Sequence, residues 1–127
     1  VPKYLEVIPG MMEGVAFIDA YDPDKAESKA FAAAYKKKHG KSPFSLPAYG
    51  YDGLKVLVAA IKRAGSTNAD KLRAAMAATK GYIGVLGAKG EAVDFTKSRA
   101  GFSPNGAVVR IIKNNKHGPV VHSGTEG

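Results

Sequence analysis

Around Gly81 the chain changes its hydrophobic period, and no other feature limits its fold as much. Upstream, apolar residues recur at helical spacing in three segments, each with its own start and stop signals. Downstream the period falls towards two and helix signals vanish. Helices are thus expected before this point and a set of short strands after it.

The upstream punctuation is specific. "GVAFIDAY", Gly14 to Tyr21, is a β-prone run held between a glycine and "DPD". The helix after it has Asp22 as a cap, Pro23 in its first turn, Asp24 and Glu27 as early acids, and Gly40 to close it. Its apolar stripe is Ala30, Phe31, Ala34 and Tyr35. "KSPFSLP", with Pro43 and Pro47, predicts an extended connector. A second helix is predicted over 51–64, burying Tyr51, Leu54, Leu57, Val58 and Ile61, with Val56, Ala59 and Ala60 widening that face. Tyr51 reads as core and Asp52 as a first-turn or capping acid. Gly65 supplies the left-handed residue that ends the helix. Ser66, Thr67 or Asn68 caps a third helix over 69–79, whose buried side carries Leu72, Ala75 and Met76.

Residues 1–14 read as irregular structure ending in a turn. After Gly81, "YIGVLG", "AVDF", "AVVRIIK" and "PVVH" are short strands. "KNNKHG" is a hairpin turn in which Asn114, Asn115 or Gly118 takes a positive φ. The closing "SGTEG" reads as frayed.

At 127 residues the chain has the length of one domain, and 45% hydrophobic residues can support a core. With no Cys, disulfides, thiol catalysis and thiolate metal sites are excluded. Nineteen Lys and Arg against eleven Asp and Glu give a net charge of +8, which raises polyanions as partners. The one dense basic run, "YKKKHGK" from Tyr35 to Lys41, falls where a helix ends, and there cations complement the helix dipole. No apolar stretch approaches the roughly 20 residues of a membrane span. The chain opens "VPKYLEVIPG" without Met or an apolar leader, so it reads as a mature form, a cleaved product or a fragment.

Catalytic patterns are wanting. His117 and His122 stand five apart across a turn, without the acidic cluster a metal site would need, and no metal or other cofactor is expected. No G-x-S-x-G elbow occurs. "GVLGAKG", Gly84 to Gly90, lacks both phosphate-loop patterns and precedes a strand, so it reads as turn chemistry. Glu91 and Asp94, three apart in a strand, face opposite sides. The chain is expected not to be an enzyme.

The order of segments then becomes informative. A helix ending "YKKKHGKSPF", then "PAYGYDGL", then "AIKRAGS" and the tail "DFTKSRAGFSPNGAVVRIIKNNKHGPVV" resemble, over almost the whole chain, the C-terminal third of periplasmic substrate-binding proteins. The type is that of the branched-chain amino acid (Leu/Ile/Val-binding) proteins of ABC transporters. The resemblance implies an α/β, two-lobed, type I periplasmic-binding-protein fold that closes on its ligand about a hinge. Residues 1–21 would belong to the C-terminal lobe and lead to the hinge, 22–101 to the N-terminal lobe, and 102–127 to a crossing and the last strands of the C-terminal lobe. Tyr21 would pack in the hinge.

The same resemblance implies an exported, periplasmic protein that traps a small carboxylate and docks on a membrane permease. The ligand would be a branched-chain or other amino acid, or an aromatic or apolar acid. Four residues are its candidate contacts. Tyr49 matches the first Tyr of the family's "Y.YD" segment, and Phe44 would line the cleft mouth. In "IPGMMEG", Met11 or Glu13 falls where amino-acid binders place the carboxylate that pairs the ligand ammonium. Met11 there would favour an apolar or aromatic acid, Glu13 an amino acid. The apolar faces of the three helices would need a sheet this chain lacks, supplied by the missing N-terminal portion or by a swapped copy. The rival reading is a small basic module for nucleic acid or other polyanions, but the basic strands interleaved with aromatics that such modules use are missing, and no nucleic-acid partner is expected.

Overall fold

The computed structural model describes residues 2–124; Val1 and most of the closing "SGTEG" segment, 125–127, lie outside the described residues. The elements are α1 (Lys3–Val7), β1 (Ala16–Asp19), α2 (Ala26–His39), α3 (Ser45–Ala64), α4 (Ala69–Ala77), β2 (Lys80–Tyr82), β3 (Val93–Asp94), a 3₁₀ turn (Pro104–Gly106), β4 (Val108–Lys113) and β5 (Lys116–Ser123). β1, β4 and β5 form one antiparallel sheet in that order, and β2 and β3 form a separate antiparallel pair. Helices and strands together make an α/β fold, as the resemblance implies.

The hairpin between β4 and β5 turns on Asn114 and Asn115, both with positive φ (53° and 56°). Asn tolerates this region because its short polar side chain bonds locally. The Asn115 side chain also bonds far along the chain, donating from Nδ2 to the Leu5 carbonyl at 2.9 Å and accepting from the Gly10 N–H at 3.3 Å. The N-terminal segment therefore laps onto the hairpin. It is not wholly irregular: Lys3–Val7 is one helical turn whose Leu5 is fully buried.

Both helix-closing glycines take the left-handed conformation, Gly40 with φ 70° and Gly65 with φ 59°. Asn68 caps α4, its side chain accepting from the N–H groups of Asp70 and Lys71. Asp22 accepts from the Asp24 N–H, forming a turn ahead of α2 and leaving Lys25 at the cap position. On α2 only Phe31 and Tyr35 of the expected stripe are partly covered, and Ala30 and Ala34 are exposed.

α3 departs most from expectation. It begins at Ser45 and runs 20 residues, with Pro47 inside its first turn. The first four N–H groups of a helix have no internal partner, so a proline there breaks no hydrogen bond. "KSPFSLP" is thus half connector and half helix.

The buried face of α3 is Ala48, Asp52, Val56 and Ala60, spaced four apart. Tyr51, Leu54, Leu57 and Val58, expected to be core, are exposed. The smaller side chains allow α4 and the loop around Val85 to come close, while most of the larger apolar stripe stays exposed. Tyr51 packs on Phe31 at a ring separation of 5.1 Å and lies under Lys55. Asp52 sits in the second turn of α3 and does not cap it. Its carboxylate accepts from the N–H groups of Val85 (3.0 Å) and Leu86 (2.7 Å) and from the Tyr82 hydroxyl (3.1 Å).

The loop that Asp52 grips is the centre of the fold. From the other side the Lys25 ammonium donates to the carbonyls of Gly84 (3.0 Å), Leu86 (2.9 Å) and Gly87 (3.1 Å). Ser28 adds a bond to the Val85 carbonyl. An acid takes the loop's N–H groups and a lysine takes its carbonyls, so a buried irregular segment has its polar groups satisfied. Val85 and Leu86 then pack with Tyr21 and Ala48, against which Ala20, Phe31 and Phe102 lie. Tyr21 is accordingly buried. "GVLGAKG" is turn chemistry, but at the core.

Candidate functional site

The chain leaves the three-stranded sheet at Tyr21 and returns to it through the 3₁₀ turn, and both crossings are fastened to the central loop. The Gly87 N–H donates to the Ala20 carbonyl at 2.7 Å and the Ala88 N–H to the Gly106 carbonyl at 2.8 Å. Arg110 holds the sheet side of the first crossing. Its guanidinium pairs with Asp19 at 3.0 Å, both side chains being almost wholly buried. Its remaining N–H groups reach the carbonyls of Gly118, His117 and Tyr21. A buried pair is tolerated when the rest of its hydrogen-bonding capacity is met, as here.

A cleft of about 710 Å³ opens where these crossings meet the start of α3. One wall is Ile18, Asp19 and Ala20 at the end of β1; another is Ser45 and Tyr49; the third is the return segment with Phe102 and Ser103. The volume falls in the range of small-molecule sites. Its chemistry is hydroxyl and apolar. The Asp19 carboxylate is already held by Arg110 and by the Tyr21 N–H. Ser45 is the first residue of α3, so the unpaired N–H groups of that helix start lie beside the cleft and favour an anionic group. Ile18, 77% exposed, and Phe102 offer apolar surface to the body of a ligand.

The four candidate residues are not brought together. Tyr49, half exposed, lines this cleft. Phe44, just ahead of α3, lines a second cleft on the side of β5. Met11 is 79% exposed and lines neither. Glu13 has its carboxylate on the hairpin, accepting from the N–H groups of Asn114 (3.0 Å) and Asn115 (3.3 Å).

Among residues the sequence did not single out, Arg110 carried a readable signal. It stands in phase with Val108 and Ile112, and all three are buried. Ile18, Ser45 and Phe102 carried none, since only the meeting of distant segments gives them a role. His117 takes a hydrogen bond with the Tyr4 hydroxyl at 2.7 Å. No group of three or more His, Cys, Asp or Glu suited to a metal occurs among the described residues. Among the same residues no helix is long and apolar enough to cross a membrane. Lys36, Lys37 and Lys38 are exposed in the last turn of α2, where they complement its dipole.

The periplasmic binding protein family model matches residues 3–116, so the chain belongs to that family. Among solved structures, the leucine-binding protein LivK of Thermotoga maritima superposes with a TM-score of 0.73 at 29% identity, covering 96% of this chain and 35% of that one. A Rhodospirillum rubrum protein assigned to branched-chain amino acid ABC transport gives 0.63 at 26%, covering 95% and 34%. A solute-binding protein of an ABC transporter from R. palustris, in complex with benzoate, shares the fold with a TM-score of 0.66 at 22% identity, covering 94% and 32%. The chain thus spans about a third of the length of these structures, and its fold is part of the type I periplasmic-binding-protein fold. No curated protein matches the chain.

Proposed function

We propose that the chain is the C-terminal portion of a solute-binding component of an ABC importer, working in the periplasm. Residues 1–21 and 102–127 would belong to one lobe and 22–101 to the other. The reading is carried by one observation: both crossings and the start of α3 converge on a hydroxyl-and-apolar cleft of small-molecule size. The ligand is a small carboxylate with an apolar body, a branched-chain or other amino acid or an aromatic acid. LivK is described as binding leucine and the R. palustris protein holds benzoate, which supports that range.

Tyr49 is the candidate we place on the ligand. Met11 and Phe44 lie away from the cleft, and Glu13 serves the hairpin. The ligand stabilises a closed state by its differential affinity, and that state docks on a membrane permease. The exposed stripe of α3, with Leu54, Leu57 and Val58, is covered by the rest of the same protein or by a swapped copy.

Thermal-shift titration of the protein from its complete gene with leucine, isoleucine, valine and benzoate tests the assignment. One of these ligands raises Tm in the wild type, and the Tyr49→Ala variant weakens that binding by about tenfold or more. A folded protein that responds to none of these acids overturns the ligand class, and an unchanged response in Tyr49→Ala overturns the site.

A further inference from the structure

The second cleft, of about 700 Å³, shares no lining residue with the first. It lies between the β4–β5 end of the sheet and the segment joining α2 to α3. Lys29 comes from α2, Lys41 from the connector, Arg110 from β4 and Lys116 and His117 from β5, and among the described residues no carboxylate lines it. Four fixed positive charges from four elements therefore converge on one hollow without a counter-charge in its wall. Asp19 offsets Arg110 from behind, and among the described residues Lys29, Lys41 and Lys116 form no ion pair.

The floor is ordered. His117 packs on Phe17 at a ring separation of 4.6 Å and bonds the Tyr4 hydroxyl, while Arg110 lies over Phe17. Tyr35 and Phe44 give the walls aromatic surface. Cations spread over separate rigid elements match charge distributed over several oxygens better than a single carboxylate, since each added opposite charge within reach lowers the energy further.

We propose that this cleft is a second ligand site, for a small polyanion of the phosphate or polycarboxylate type, independent of the cleft at Tyr49. Lys41 and Lys116 hold the anion from opposite sides, and His117 senses it. Burial, and then the nearby Arg110 charge, push the His117 pKa below its ordinary value of 6.5, with Asp19 opposing. The Tyr4 hydroxyl is hydrogen-bonded to its ring at 2.7 Å. An anion in the cleft favours the imidazolium and moves that pKa up.

The test titrates the protein from its complete gene with inorganic phosphate and, separately, citrate, following the His117 ring protons by NMR and the heat by calorimetry. The expected result is saturable binding with a rise in the His117 pKa that sodium chloride at matched ionic strength does not reproduce. Binding of phosphate alone assigns the phosphate type, and binding of citrate alone the polycarboxylate type. A Lys41→Gln, Lys116→Gln double variant loses about tenfold or more in affinity. Tyr49→Ala keeps it, and leucine or benzoate leaves His117 unmoved, which separates this site from the first. No saturable binding of either anion, or an equal effect of sodium chloride, overturns the proposal.

Discussion

Replacing Lys25 by Met removes an ammonium from three carbonyl oxygens, those of Gly84, Leu86 and Gly87. Buried acceptors left without a donor cost about 1–3 kcal/mol each, so Lys25→Met is expected to lower unfolding free energy by roughly 2–4 kcal/mol in urea denaturation. A methyl group on Gly84 would collide with the Asp52 carboxylate. Gly84→Ala should therefore loosen the same loop from the opposite side, and near-ultraviolet circular dichroism of Tyr82 would report the change. His117 gives a pH dependence of definite sign. Its pKa is lowered in the folded state, by burial and then by Arg110, so the unfolded chain binds the proton more tightly. Stability from this group is present above pH 6.5 and is lost as the pH falls from there towards the folded value. Denaturation midpoints of wild type should fall over that window, and His117→Gln should flatten the slope. Lys25 was out of reach of sequence reasoning because it stands in a turn, where no periodicity distinguishes an inward lysine from an outward one. Asp52 was expected as a first-turn or capping acid, but it caps nothing, and its partners come from a loop more than thirty residues away.

At the scale of elements, the β4–β5 hairpin rests on two consecutive residues in the left-handed region. Asn114→Val puts a β-branched side chain there and should cost about 1–2 kcal/mol, whereas Asn114→Gly should be close to neutral. Equilibrium unfolding of the two variants side by side checks the turn. This turn, both helix-closing glycines and the Asn68 cap were legible because each depends on a few adjacent residues. The start of α3 was not, since Pro43 and Pro47 send the same local signal whether the chain is extended or entering a helix. The candidate cleft was legible only through Tyr49. Its other walls come from β1 and from the 98–107 segment, and no pattern along the chain announces that they meet.

On the scale of the whole molecule, α3 shows why amphipathicity alone cannot name a buried face. Its apolar residues go almost all round, and the chain covers the side with alanines while Leu54, Leu57 and Val58 stay exposed. Expressed by itself, this polypeptide is expected to self-associate through that side and to bind hydrophobic dyes. In sedimentation velocity, Leu54→Glu with Val58→Glu should shift it towards the monomer; a wild-type polypeptide that sediments as a monomer would count against the idea.

The pins at the two crossings have a mechanical consequence. Arg110, which also bonds β5, locks the end of β1 to β4, and Gly87 and Ala88 clamp Ala20 and Gly106 to the central loop. Little slack is left between these anchors. A rotation of the helical layer against the sheet would have to be taken up as torsion in a few backbone bonds near Ala20–Tyr21 and Gly106–Ala107. It would behave as a stiff pivot with a defined axis, and its opening angle would be set by how far those few bonds can twist.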